Sequence, residues 1–230
     1  MIRLAFTILT ASVATLLFGP IGIMAWPFRR DGEIGFLVTR LWARTILFAA
    51  QVRVTSELLG DLPKEPVVFV SNHVSALDIP ILFATLPRSF RIVYKRSLVY
   101  VPLMGLFLLA ARNVPIDRSR AFRARRSLAS AARRIRSGVS VALFPEGTRS
   151  GDSPMGAFKR GSFKLAVEAG APVVPVSLIG LRKVVGRNRI TPGHVRVRIH
   201  QALGCFEGPE AAETLARRAE SMIRNEVGVE

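Results

Sequence analysis

Val67-Val68-Phe69-Val70-Ser71-Asn72-His73-Val74-Ser75-Ala76-Leu77-Asp78-Ile79-Pro80 is the stretch on which the reading of this chain turns. Its first four residues form a short apolar run, β-branched or aromatic throughout, and read as a strand buried on both faces. Ser71-Asn72-His73 falls where that strand ends. Pro80 suits a first helical turn and so places a helix start near Asp78. A buried strand passing through a polar loop into a helix is a building unit of α/β folds.

The same alternation continues on both sides. Strands are expected at Gln51–Thr55, Val67–Val70, Phe90–Tyr94, Asn113–Ile116, Val139–Phe144, Val173–Ile179 and Val195–His200. Helices are expected at Asp78–Leu86, Pro102–Ala111, Ala121–Ser137, Gly161–Ala169 and Glu210–Asn225. The predicted architecture is therefore α/β: a single domain over residues 51–230, with a mostly parallel or mixed central sheet flanked by helices. No internal repeat or low-complexity segment interrupts it.

Residues 1–50 differ in kind and are expected to form an N-terminal membrane-associated helix pair. After Arg3 no charged residue occurs until Arg29-Arg30. The unbroken part, Leu4 to Phe18, would be about 22 Å long as a helix, against a hydrocarbon core of roughly 30 Å. Gly19-Pro20 is expected to break or kink it. A second helical stretch, Ile34 to about Ala50, carries Arg40 and Arg44 one turn apart, a spacing suited to a head-group boundary. A span and an interfacial helix pair both satisfy this pattern. A cleaved signal peptide fits less well, because the run is long and bulky and no disulfide-stapled domain follows. The basic flank favours the cytoplasmic side of a cell membrane for the domain that follows.

Composition points the same way. Thirty-three Lys and Arg stand against 16 Asp and Glu, for a formal charge of +17, while half the residues are hydrophobic. High charge with high apolarity is not the signature of disorder; it suits a folded protein on an anionic membrane surface. The arginines of residues 120–136 read as the solvated side of a helix, and no helix-turn-helix, RNA-binding strand or zinc finger accompanies them, so nucleic acid is not an expected partner. One cysteine, Cys205, and three scattered histidines, His73, His194 and His200, leave no set of zinc ligands, and no metal site is expected. Cys205, His194 and His200 read as structural or surface residues.

Within the opening stretch, His73 and Asp78 are five residues apart. On one continuous helix they would point about 140° apart. A loop followed by a helix start removes that obstacle: Asp78 at the helix N-terminus can accept a hydrogen bond from one ring nitrogen, fix the tautomer, and leave the other nitrogen as a base. The alternative is a capping aspartate beside an unremarkable loop histidine. A second word, Phe144-Pro145-Glu146-Gly147-Thr148-Arg149-Ser150, ends another strand. Gly147 would let the backbone turn and approach a ligand, and Thr148 and Arg149 are suited to phosphate oxygens. An ordinary turn with a Glu146–Arg149 ion pair is the competing account. No Gly-x-Ser-x-Gly elbow, phosphate-binding Gly-Lys loop or dinucleotide fingerprint occurs. With no protein nucleophile in evidence, the substrate should supply the attacking hydroxyl.

In their order and separation, the two words resemble the 1-acylglycerol-3-phosphate acyltransferase family of glycerolipid acyltransferases, over roughly residues 65 to 180. The resemblance implies transfer of an acyl group from acyl-CoA or acyl-carrier protein to the free sn-2 hydroxyl of a lysophospholipid, giving phosphatidate, without a cofactor. It implies a catalytic dyad of His73 and Asp78, and a phosphate-binding turn of Glu146, Gly147, Thr148 and Arg149. Lys95, Gly105 and Ile116-Asp117-Arg118 resemble the intervening block, in which basic residues such as Lys95 and Arg118 contact substrate. Val174-Pro175-Val176 resembles a mainly structural block. Departures are Arg96-Ser97 after Lys95, where members often carry an acidic residue before the leucine, and Asn113, where glycine is common. Another lysolipid acceptor, such as a lyso-ornithine lipid or lysophosphatidylglycerol, and a non-catalytic basic membrane-binding protein are the alternatives.

Overall fold

β-Branched runs that are buried on both faces have no reason to stop pairing at two strands, and here three such runs join four partly exposed strands in one sheet. In the computed structural model, which describes residues 2–24, 33–117 and 119–228, these are β1 (Val52–Leu58), β2 (Val68–Ser71), β3 (Phe90–Lys95), β4 (Val114–Ile116), β5 (Ser140–Leu143), β6 (Val173–Ile179) and β9 (Gly193–Ile199). Their order across the sheet is β1-β9-β6-β2-β5-β3-β4. Every neighbouring pair is parallel except β6 and β9. The expected sheet is thus mostly parallel with one antiparallel pairing. β2, β5 and β6 are buried along their whole length, as parallel strands covered on both faces must be. β9 instead alternates, with Val195, Val197 and Ile199 inward and Arg196 and Arg198 less buried.

Helices cover both faces. α1 (Ile2–Met24), α2 (Glu33–Ala50), α3 (Asp78–Thr85) and α4 (Met104–Ala110) contribute to one core. α5 (Ala121–Arg136), α6 (Arg160–Ala169) and α8 (Ala211–Val227) build the other. Three short elements have no counterpart in the sequence reading: a 3₁₀ helix at Arg96–Tyr100, α7 (Leu181–Val184), and a hairpin of β7 (Val185–Gly186) with β8 (Arg189–Ile190).

The N-terminal pair departs from expectation in two respects. α1 does not end at Gly19-Pro20 but runs through Pro20 to Met24. Tertiary packing explains this: a Cβ at Gly19 would lie 2.9 Å from Leu106 Cγ, and one at Gly22 3.4 Å from Ala110, so α1 is pressed onto α4 at the place where a break was expected. α2, in turn, is as much core as anchor. Phe36 packs on Phe83 and Phe90, and Trp42 stacks on Phe107 with centroids 4.4 Å apart. Arg40 does not need a head group as partner, because its guanidinium donates to the Phe83 carbonyl at 3.1 Å and to the Leu86 carbonyl, satisfying the end of α3. Arg29-Arg30 lies outside the described residues, as does Arg118.

Because β2, β3, β4 and β5 run in the same direction, their carboxyl ends share one edge of the sheet. Ligands of open α/β sheets bind at that edge.

On the antiparallel side, His200 is buried, and its Nε2 lies 2.8 Å from the Ser177 hydroxyl. Burial holds its pKa below the ordinary 6.5. The unfolded chain therefore binds a proton at a higher pH than the folded one, so the stability His200 contributes is fully present above about pH 6.5 and is lost as pH falls toward the folded value. Thermal midpoints compared at about pH 7.5 and pH 5.5 should show a drop that is smaller in His200→Gln than in the wild type.

Candidate active site

β2 ends at Ser71 with Asn72 fully enclosed: its side-chain amide donates to the Leu178 carbonyl at 3.1 Å, and its oxygen accepts the Leu178 N–H at 2.9 Å. This pairing continues the β2–β6 ladder by a side chain and sets where the next residue leaves the sheet. His73 is that residue. Its Nδ1 lies 2.5 Å from Asp78 Oδ2. Asp78 is 0% exposed, and its carboxylate also accepts the Val74 N–H at 2.7 Å, the Ser75 N–H at 3.0 Å and the Ser75 hydroxyl at 3.2 Å. With Nδ1 bonded to a carboxylate, a neutral ring carries its proton there and presents Nε2 as the free lone pair. Phe144 stacks on the ring, with centroids 4.0 Å apart and planes 13° apart, fixing its tilt.

β5 delivers the second word to the same place. Gly147 has φ +79°, in the left-handed region that favours glycine. The two loops are stitched together: Ser150 N–H donates to the His73 carbonyl at 2.8 Å, and Gly151 N–H donates to that of Val74 at 3.1 Å. Glu146, expected among the phosphate-binding residues, is turned inward. One oxygen accepts the His73 N–H at 2.6 Å, the other the Gly156 N–H at 2.8 Å, and the residue is 5% exposed. Burial pushes its carboxyl above the ordinary range, while these two amides pull it back. Its place is that of a clasp between backbones.

Between these loops and the ends of β3 and β4 lies a cleft of about 600 Å³. Its lining is in part apolar, with Ile92, Leu98, Met104, Leu108, Ile116 and Leu128 among others. It also carries cations: Lys95 from the end of β3, Arg149 beside Gly147, Arg125 from α5, and Lys159 and Lys164 from α6 and the residue before it. No carboxylate lines it among the described residues. Such a cleft fits an amphiphile with an anionic head.

Of the residues singled out from sequence, His73, Lys95, Gly147 and Arg149 thus line one cavity, with Asp78 directly behind His73. Thr148 is exposed and lies outside the cleft lining, and Arg118 is outside the described residues. Asp117 accepts the Ser119 hydroxyl and N–H, which hold its carboxyl below the ordinary range. Gly105, from the intervening block, allows a close approach, since a Cβ there would meet the Val99 carbonyl at 2.0 Å. Lys159 was not anticipated. Its ammonium lies against the Gly147 turn, 2.9 Å from where a Cβ on Gly147 would stand. A signal existed: Lys159-Arg160 places two cations at the N-terminus of α6, where the helix dipole disfavours positive charge, and such local inconsistencies mark functional sites.

The sequence model of the Acyltransferase family matches residues 52–179, a span that holds the whole of this cleft. The chain belongs to that family. Among its relatives are the chloroplastic 1-acyl-sn-glycerol-3-phosphate acyltransferase of Arabidopsis thaliana, 32% identical over 88% of this chain and 58% of its own length, and the 1-acyl-sn-glycerol-3-phosphate acyltransferase of Pseudomonas aeruginosa, 30% identical over 96% and 89%. The chain spans about three fifths of the plant and algal relatives it matches. The crystal structure of the 1-acyl-sn-glycerophosphate acyltransferase PlsC from Thermotoga maritima superposes with a TM-score of 0.78 at 25% identity, covering 97% of this chain and 92% of that one.

Removing the Glu146 carboxylate should cost stability, because two backbone N–H groups, those of His73 and Gly156, lose their acceptor. Glu146→Ala is expected to lower unfolding free energy by about 1–3 kcal/mol, read as a shift of the denaturant midpoint. Glu146→Gln, which keeps one acceptor oxygen, should lose less.

Proposed function

We propose that this family member transfers a fatty acyl group from a thioester donor, acyl-CoA or acyl-carrier protein, to the sn-2 hydroxyl of 1-acylglycerol-3-phosphate, giving phosphatidate. The observation that carries the reading is the His73 ring, oriented by a buried carboxylate, at the wall of a cleft lined by apolar side chains and cations. The names of the relatives from Pseudomonas and Arabidopsis agree with it.

In this scheme Nε2 of His73 takes the proton of the acceptor hydroxyl as its oxygen attacks the thioester carbonyl carbon. Asp78 stabilises the imidazolium that results. Lys95 or backbone amides stabilise the oxyanion of the tetrahedral intermediate. The intermediate collapses with cleavage of the C–S bond, and the leaving thiolate receives the proton from His73. The acyl chains lie along the apolar wall. The phosphate of the acceptor is held by Arg149 with Lys159, close to the Gly147 turn. Five cations with no carboxylate favour a head group of net negative charge over the zwitterionic head of a lyso-ornithine lipid.

The acceptor resides in a bilayer, and α1 is 23 residues long and apolar enough to cross one by length and composition. Phe6, Leu9, Val13, Leu16 and Ile21 are exposed along it. Under this reading residues 1–50 hold the catalytic domain, residues 51–230, against an anionic membrane surface, and Arg29-Arg30 with the basic remainder of the chain favours the cytoplasmic side.

His73→Ala should lower acyl transfer, measured as thiol release in the presence of lysophosphatidate, by a factor on the order of 10²–10⁴; near-normal release would remove His73 as the base. Arg149→Gln should raise KM for lysophosphatidate more than it lowers kcat, in the same assay. Replacing Leu9 and Leu16 together by Glu should abolish co-sedimentation with phospholipid vesicles while leaving the far-ultraviolet circular dichroism unchanged.

A further inference from the structure

Outside the cleft, the outer face of α5 is strongly basic. Between Asp117 and Glu146 the chain carries no Asp or Glu. Arg123, Arg125, Arg126, Arg133 and Arg136 of α5 are exposed, and among the described residues none of the five forms an ion pair with a carboxylate. Phe122 is 76% exposed. Phe122, Arg126 and Arg133 stand at i, i+4 and i+11 and so follow one line along the helix, about 17 Å long at 1.5 Å per residue. An exposed ring in line with unpaired guanidinium groups is the composition of a protein interface, which is enriched in aromatic residues and arginine.

Two features of placement narrow the partner. α5 packs on the sheet face opposite α1 and α2, so its outer stripe is not part of the apolar surface by which α1 meets lipid. The adjoining side of the same helix, through Ala124, Arg125 and Leu128, lines the cleft. A soluble anionic body resting on the stripe would therefore sit at the rim of the cavity that holds His73. The cleft has cations of its own for a small anionic ligand, and the stripe, through Arg126 and Arg133, extends past its lining.

Resting on the acyltransferase reading above, we propose that the outer face of α5 is the docking surface for an acidic acyl-carrier protein. Phe122, Arg126 and Arg133 are its central contacts, and the partner passes its thioester-bearing arm past Arg125 into the cleft. After transfer the carrier leaves with its arm as the free thiol.

The test compares donors on the full-length protein in detergent. In Arg126→Glu with Arg133→Glu, neither of which lines the cleft, kcat/KM with acyl-carrier protein should fall by about tenfold or more, because rim charges act on association. With acyl-CoA of the same chain it should change by less than about twofold. Wild-type kcat/KM with the carrier should also fall with added salt more steeply than with acyl-CoA, and Arg126→Gln with Arg133→Gln should show a smaller loss in the same direction. An equal loss with both donors, no loss with either, or use of acyl-CoA but not the carrier by the wild type would overturn the docking surface. So would a parallel loss of binding to phosphatidylglycerol vesicles, which would assign the stripe to lipid. Transfer from neither donor by the wild type would instead sink the acyltransferase reading itself.

Discussion

A carboxylate with no exposure to water must be answered by donors, and the loop after β2 is shaped by that demand. Asp78 collects the His73 ring nitrogen, two backbone amides and a hydroxyl within five residues of chain. Breaking such a buried cluster leaves an uncompensated charge, which costs far more than the pair contributes over an apolar replacement. The imidazole is thus held by the same bonds that let the loop fold. Around it, Phe144 limits the tilt of the ring, Glu146 fixes its backbone amide, and Ser150 binds its backbone carbonyl. The two sequence words are therefore one structural unit with His73 in its middle.

The sheet explains why that unit sits at an accessible edge. Parallel strands β2, β5, β3 and β4 bring their carboxyl ends together, and each contributes a different chemical element: the His73 imidazole, the glycine turn with Arg149, Lys95, and the apolar Ile116. The antiparallel entry of β9 beside β6 closes the other half of the sheet without adding to the cleft lining. Asn72 joins the two halves by reaching from the loop after β2 to the backbone of β6.

Much of this was legible in sequence, for reasons that differ by element. Val68–Val70, Val141–Leu143 and Val173–Ile179 are buried on both faces, and an unbroken apolar run states that burial directly. His73 and Asp78 were legible because their spacing forbids a shared helix face and permits a loop and a cap. The inward turn of Glu146 was not, since a carboxylate beside a glycine turn reads equally well as a ligand contact, and only the positions of the His73 and Gly156 amides decide. Nor was the passage of α1 through Pro20, because the compensating contacts come from Leu106 and Ala110, far along the chain. The β7–β8 hairpin and the 3₁₀ helix are too short to carry a period.

The burial of α2 sets the order in which this molecule can be made. Phe36 and Trp42 complete the aromatic cluster around Phe83, Phe90 and Phe107, so residues 51–230 without α2 would leave that cluster partly uncovered. The segment ahead of the sheet is thus part of the domain's own interior. A form cut after residue 50 would consequently be a sticky fragment, and the making of α2 and the closing of the core become a single coupled event.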